Sequence, residues 1–320
     1  PKRYDVITME PSNPWMAGIS SLYTREFLEL CKSRLADDGL MVQWTHLYEI
    51  DARSVTMIAR TFQETFPHVR AFLCGFDLLL VGAPREESLD AVKLEARIRD
   101  RAGQPRIRAA LDREGYDTLF TLFATEIFSS KELAQWTGRG LTLTDDHPEL
   151  EFSAPVAYYT GAQVPPPVEH LPLPASILAA HLAGRAPTSP ELASWARLKL
   201  RQKNMLGVAR TLLELAPEGD PEVAHLAAKL YLGTREPDAA LPLAQAAARA
   251  KPDNLAYART LYATARSVED QQVILLKRKE YPVSRAALQA LLRLDAKDVH
   301  LHTDAAELAV LERIQRKVLW

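Results

Sequence analysis

Tyr4-Asp5-Val6-Ile7-Thr8-Met9, followed at once by Glu10-Pro11-Ser12-Asn13-Pro14, is the stretch that decides how this chain is read. The near-continuous apolar run predicts a short strand covered on both faces, as in the interior of a parallel sheet. A polar, Pro-rich turn covers 10–18. Beyond it Leu22, Tyr23, Phe27, Leu30, Cys31 and Leu35 recur at helical spacing, with Thr24 as N-cap and Gly39 as stop. A second strand is predicted over 40–44. Asp51 caps a second helix whose apolar face is Val55, Ile58, Ala59, Phe62 and Phe66, closed by Pro67. Runs at 69–74 and 76–81, joined at Gly75, have the pattern of a hairpin. Strand, helix, strand, helix, hairpin implies a parallel sheet finished by one antiparallel strand.

From 84 to about 144 the pattern is mostly helical, with segments at 89–101, 107–113, 118–124 and 131–136. An acidic turn, Thr144-Asp145-Asp146-His147-Pro148, follows. The stretch 155–174 carries six prolines and few periodic apolar residues, so it reads as a linker. The chain then turns Ala/Leu/Arg-rich and helical. Residues 221–254 fit the ~34-residue tetratricopeptide period, with Ala228, Tyr231, Ala240, Ala247 and Pro252 at its small, aromatic and helix-ending positions. The segments 193–215 and 286–316 read as helical hairpins that match the repeat weakly. One such unit cannot bury its own apolar face, so several must stack.

Composition excludes several classes. A net charge of −2 leaves no basic footprint for nucleic acid or an anionic membrane. No run of about 18 apolar residues is present to span a membrane. Cys31 and Cys74 each lie in an apolar stretch and far apart, which fits buried thiols in a reduced compartment better than a disulfide. No metal-ligand spacing stands out; His300 and His302 are two apart and read as solvated. Ser12 lacks the glycine elbow of a nucleophilic serine.

Glu10 is the most informative position. It ends a parallel strand, at the edge where open α/β sheets bind ligands. The plainer reading of Glu10 is a solvated strand-end carboxylate. Asn13 serves equally as a turn-maker before Pro14 and as a ligand contact. Gln43 and His46 follow the next strand, suited to hydrogen-bond an amine or a nucleoside, or to support such a site from behind. Tyr48 and Glu49 are secondary candidates. Asp145 and Asp146 either add negative charge over the pocket or form a capped turn. Trp15 and Tyr23 read as a pocket floor or as core.

The residues 4–14, with Leu22-Tyr23-Thr24-Arg25-Glu26-Phe27, Gln43-Trp44-Thr45-His46-Leu47 and the closing hairpin, resemble the spermidine/spermine synthase family. Glu-Pro-Ser-Asn-Pro-Trp-Met-Ala-Gly and Thr-Asp-Asp-His-Pro-Glu-Leu-Glu-Phe look like its bacterial branch that is often fused to membrane transporter-like segments. The resemblance covers roughly 4–155. It implies a methyltransferase-like fold that moves an aminopropyl group from decarboxylated S-adenosylmethionine, as co-substrate, to a polyamine such as putrescine. A protonated amine must lose its proton before attacking the carbon beside the sulfonium, and a carboxylate at Glu10 can accept it and hold the ammonium in line. By the same resemblance Asn13, Gln43, His46, Asp145 and Asp146 are the substrate-binding set. The family generally carries Asp where Glu10 and Asn13 stand, so one charge sits on a longer side chain and one is lost. The family's cofactor-facing glycine-rich loop and following acidic residue do not occur in this sequence.

The expectation is therefore an α/β fold, the C-terminal half of a methyltransferase-like (Rossmann-type) doubly wound sheet, followed by an all-α helical repeat region. Its parts are 1–84 for the α/β half, 85–154 for a helical extension, 155–175 for the linker and 176–320 for tetratricopeptide-like repeats. The expected setting is cytoplasmic, attached to a membrane through segments upstream of this chain. Two alternatives stand beside aminopropyl transfer. One is an S-adenosylmethionine-dependent methyltransferase-like enzyme acting on another acceptor. The other is a degenerate α/β scaffold whose helical repeats bind a protein partner.

Overall fold

The computed structural model describes residues 2–85, 105–116, 118–164, 182, 185–203, 205, 207–276 and 281–318. The chain divides into two compact units, Pro1–Ala186 and Pro187–Trp320. The predicted segment 89–101 and residues 165–174 of the Pro-rich stretch lie outside the described residues.

The first unit is α/β. Its sheet has five strands among the described residues: β1 (Tyr4–Met9), β2 (Leu35–His46), β3 (His68–Cys74), β4 (Asp77–Ala83) and β5 (Glu126–Phe128), in the order β1-β2-β4-β3-β5. β1 pairs parallel with β2, while β4 pairs antiparallel with both β2 and β3, and β5 antiparallel with β3. The sequence pattern anticipated the hairpin but not its placement. Its second strand inserts between β2 and β3 instead of finishing the sheet, so β1, β2 and β3 point one way and β4 and β5 the other. The two-residue turn at Gly75 and Phe76 relies on Gly75 at φ 69, a left-handed backbone that glycine adopts without a Cβ penalty.

Helix α1 (Arg25–Ser33) begins where expected, with the Thr24 hydroxyl accepting from the Phe27 amide. It stops earlier, at Arg34, because the chain turns into β2 at Leu35. Gly39 has a different task from the helix stop its position suggested. A Cβ there would lie 2.9 Å from the Tyr4 carbonyl and 3.0 Å from the Ala36 amide, inside a bulge where the β1–β2 register slips between Tyr4 and Val6. Helix α2 (Ala52–Thr65) is capped by Asp51, which accepts from the Ser54 amide at 2.9 Å. It buries Val55, Ile58, Ala59 and Phe62 against the sheet face carrying Met41, Leu78, Leu80, Ala71 and Leu73.

Among the described residues three short helices follow, α3 (Pro105–Glu114), α4 (Leu119–Phe123) and α5 (Ser130–Thr137). β5, between α4 and α5, carries only three residues, too few for an alternating pattern to mark it as a strand. After α5, Arg60 donates to the carbonyls of Thr137, Gly138 and Leu141, and the Leu143 amide donates to the buried Thr61 hydroxyl. These bonds fix the return path that delivers Leu143 to the start of α1, where its carbonyl accepts from the Arg25 amide.

Helix α6 (Glu149–Thr160) runs through Pro155, so the first residues of the expected linker are helical. Leu150, Ala154 and Ala157 are buried and hold it down despite the amide that Pro155 lacks.

The second unit is helical: α7 (Ser189–Gln202), α8 (Val208–Leu215), α9 (Pro221–Gly233), α10 (Pro237–Ala250), α11 (Leu255–Leu276), α12 (Pro282–Leu294) and α13 (Val299–Val318). Ala228, Ala240 and Ala244 form a cluster of small side chains with Tyr231 and Leu261 packed on it, which lets α9 and α10 approach closely. Glu269, on α11, caps α12 from outside. Its carboxylate accepts from the Val283 amide at 2.8 Å, the Ser284 amide at 3.1 Å and the Ser284 hydroxyl at 2.5 Å. Orphan amides at a helix start thus meet a charged acceptor from a neighbouring helix. No helix among the described residues is long and apolar enough to cross a membrane.

Candidate functional site

Parallel strands share one edge for their C-termini, and here β1 and β2 bring Glu10 and His46 to it. Met9 pairs with Gln43, so Glu10 stands one step beyond, beside Trp44. Side chains alternate along a strand. Glu10, Trp44 and His46 therefore share one face, together with Asp77, the cross-strand partner of His46. Met9, Gln43 and Thr45 share the opposite face, which the helices cover.

That parity separates two of the expected partners. Gln43 reaches the right edge but is fully buried on the helix side, away from Glu10. Among the described residues its amide nitrogen and oxygen have no hydrogen-bond partner, nor do the Thr45 hydroxyl on the same face and the Tyr23 hydroxyl. Burial pushes the Tyr23 phenol well up. The three-residue spacing of Gln43 and His46 already contained this outcome, since an odd separation on a strand means opposite faces.

Glu10 itself is exposed, free to meet a ligand from solvent. Asn13 sits in the turn after β1, where its carbonyl accepts from the Met16 amide at 3.0 Å. It serves there as the turn-maker, and its side chain stands near enough to the Tyr48 hydroxyl to lower that phenol. Burial raises the Tyr48 phenol, the Asp77 and Glu49 carboxylates raise it further, and the Asn13 bond lowers it. Glu49 adopts φ 53, a left-handed backbone uncommon outside glycine, at the point where the chain leaves β2.

His46 is the centre of the site. It is fully buried, and among the described residues neither ring nitrogen has a hydrogen-bond partner. Aromatic rings surround it instead. Tyr48 lies 4.6 Å away between centroids, Trp15 4.8 Å in an edge-on arrangement, and Trp44 5.3 Å. Trp15 in turn stacks on Tyr158 of α6 at 4.8 Å. Burial lowers the His46 pKa from 6.5 to about 4, so the imidazole is neutral at neutral pH.

α6 is held over this edge by Glu151, which accepts from the Gly18 amide at 2.8 Å and the Ser20 hydroxyl at 2.6 Å. Those two bonds, Ser20 first, hold the Glu151 carboxyl below its ordinary range. The chain past α6 then returns to the end of β2, where the Val164 amide donates to the Leu47 carbonyl at 3.0 Å.

Asp145 and Asp146 are exposed in the turn before α6. The Asp145 amide donates to Glu26 at 3.0 Å, which ties this turn to the start of α1. The described hydrogen bonds and ring contacts join neither aspartate to Glu10 or His46. Tyr158 and Asp77 are the residues that sequence reasoning passed over. Tyr158 lay within the stretch read as linker, and Asp77 within an apolar hairpin strand.

Among the described residues no group of three or more His, Cys, Asp or Glu is placed to hold a metal ion. Cys31 and Cys74 are both free thiols, and burial raises Cys31. No protein-family model matches the chain, and no curated protein matches it.

Proposed function

We propose that the first unit supplies the amine-facing side of an aminopropyltransferase resembling spermidine synthases, with Glu10 as the proton acceptor. The observation that carries this reading is one shared strand edge. There an exposed carboxylate stands on the same sheet face as a buried neutral imidazole, with the Asp77 and Glu49 carboxylates close enough to act on Tyr48. Such an edge favours a cationic amine over an anion.

The chemistry balances without a metal. The amine gives one proton to the Glu10 carboxylate, and its freed lone pair attacks the carbon beside the sulfonium of decarboxylated S-adenosylmethionine. The carbon–sulfur bond breaks and its electron pair neutralises the sulfur, leaving a thioether. The chain supplies position and a base; the sulfonium supplies the leaving group. On this reading the β1–β4 region is part of a methyltransferase-like sheet. Cytoplasmic placement goes with the same reading.

In the complete protein, Glu10→Gln is expected to lower transfer by about 10²–10⁴-fold with co-substrate affinity unchanged. The measurement pairs an aminopropyl-transfer assay with calorimetry of decarboxylated S-adenosylmethionine. Full activity of Glu10→Gln removes Glu10 from the mechanism.

One observation favours a different acceptor. Asn13 stands near the Tyr48 hydroxyl and offers no charge, which suits a methyltransferase-like enzyme on a non-polyamine acceptor. Tight co-substrate binding with no transfer to putrescine would select that reading. A third reading rests on the helical unit, whose Ala-lined α9–α10 contact suits tetratricopeptide-like repeats that hold a protein partner. Failure to bind any S-adenosylmethionine derivative would leave it standing.

A further inference from the structure

The rings at the end of β2 do more than enclose His46. Tyr48, His46, Trp15, Tyr158 and Tyr159 form one continuous row, with successive centroid distances of 4.6, 4.8, 4.8 and 5.5 Å. The two ends of the row differ in character. At the Tyr48 end are the carboxylates of Asp77 and Glu49, with Asp77 also the cross-strand partner of His46. At the other end Tyr158 and Tyr159 are exposed beside Phe152 and Val156 on the same helix. The middle holds a fully buried imidazole whose two nitrogens lack hydrogen-bond partners among the described residues. Buried polar atoms are rarely left unanswered, which sets this row apart from ordinary aromatic core.

A small linear dication is best held by a carboxylate at each end. This row presents carboxylates at one end and aromatic faces along the rest. Aromatic faces stack flat rings in offset or edge-on contact, and they attract the first atoms of a cationic chain. We propose that the ligand of this site is a primary amine bearing one positive charge and a flat aromatic tail. Its ammonium lies toward Glu10, Glu49 and Asp77, and its tail lies along Tyr158 and Trp15, whose edge meets His46. This names the acceptor class for the transfer proposed above, and it depends on that reading only for what happens to the amine after it binds.

The test uses the 320-residue chain with phenethylamine and putrescine as probes, each titrated by calorimetry at neutral pH. Phenethylamine is expected to bind at least about tenfold more tightly than putrescine, the difference one good ring contact makes. Trp15→Ala and Tyr158→Leu are each expected to weaken phenethylamine by about tenfold and to leave putrescine within about twofold. Tyr158 is partly exposed at the surface, so Tyr158→Leu keeps the test valid should Trp15→Ala disturb folding. Tighter binding of putrescine, unchanged phenethylamine affinity in Tyr158→Leu, or binding of neither amine each overturns the inference. A transfer assay on the complete protein separates the two ideas. Phenethylamine bound but never alkylated sinks the transferase reading alone, whereas putrescine alkylated without phenethylamine binding sinks this inference alone.

Discussion

His46 and His225 make the stability of this protein depend on mildly acidic pH. Burial comes first in lowering both from 6.5 to about 4, and for His225 the Lys229 and Arg197 charges add to it. Between those values the unfolded chain binds a proton that the folded chain does not. Stability is therefore full above pH 6.5 and falls as pH drops toward 4. Each histidine is expected to contribute on the order of 1–3 kcal/mol to that fall. Imidazole signals followed by NMR should show these two titrating near pH 4, and midpoints near 6.5 would refute the assignment. Gly82 tests packing on the other side of the sheet. A Cβ there would sit 2.7 Å from both the Phe62 and Phe66 rings. Gly82→Ala should cost about 1–3 kcal/mol in urea unfolding, because two buried rings must shift to admit one methyl.

At the scale of elements, β1 is the exposed one. Among the described residues it pairs with β2 alone, and Tyr4 and Val6 are open to solvent. An apolar edge strand is a template for another chain. Val6→Lys is expected to reduce self-association, measured by sedimentation velocity over a concentration series; equal association in both proteins would show that the edge is already protected. α6 offers a second test. Pro155 lies inside it, so Pro155→Ala should restore a helical amide and stabilise the fold by about 1–3 kcal/mol. A neutral result would fit an extended linker instead. These two elements also mark where the sequence was legible. α1, α2 and the β3–β4 hairpin announced themselves because Thr24, Asp51 and Gly75 signal ends locally and the apolar residues between them are periodic. α6 did not, because it is apolar around most of its circumference and carries a proline. The insertion of β4 between β2 and β3 was invisible because pairing order is decided by contacts far apart in sequence. At the candidate site, the position of Glu10 was legible from its strand end, while the row of rings needed α6 to bring Tyr158 to Trp15.

For the whole molecule, two units with separate apolar clusters imply two unfolding events. Leu80 and Leu291 are each fully buried, one in each unit. Leu80→Ala should lower one calorimetric transition and Leu291→Ala the other, each by about 2–5 kcal/mol. A single transition shifted by both substitutions would mean that the units fold as one. Within the second unit, Glu269 reaches from α11 to the first turn of α12 and grips three donors there. The register of these two helices is thereby pinned by a side chain, like a dowel through a joint. A change at Glu269 or Ser284 would therefore be felt at the start of α12 and passed on to α13.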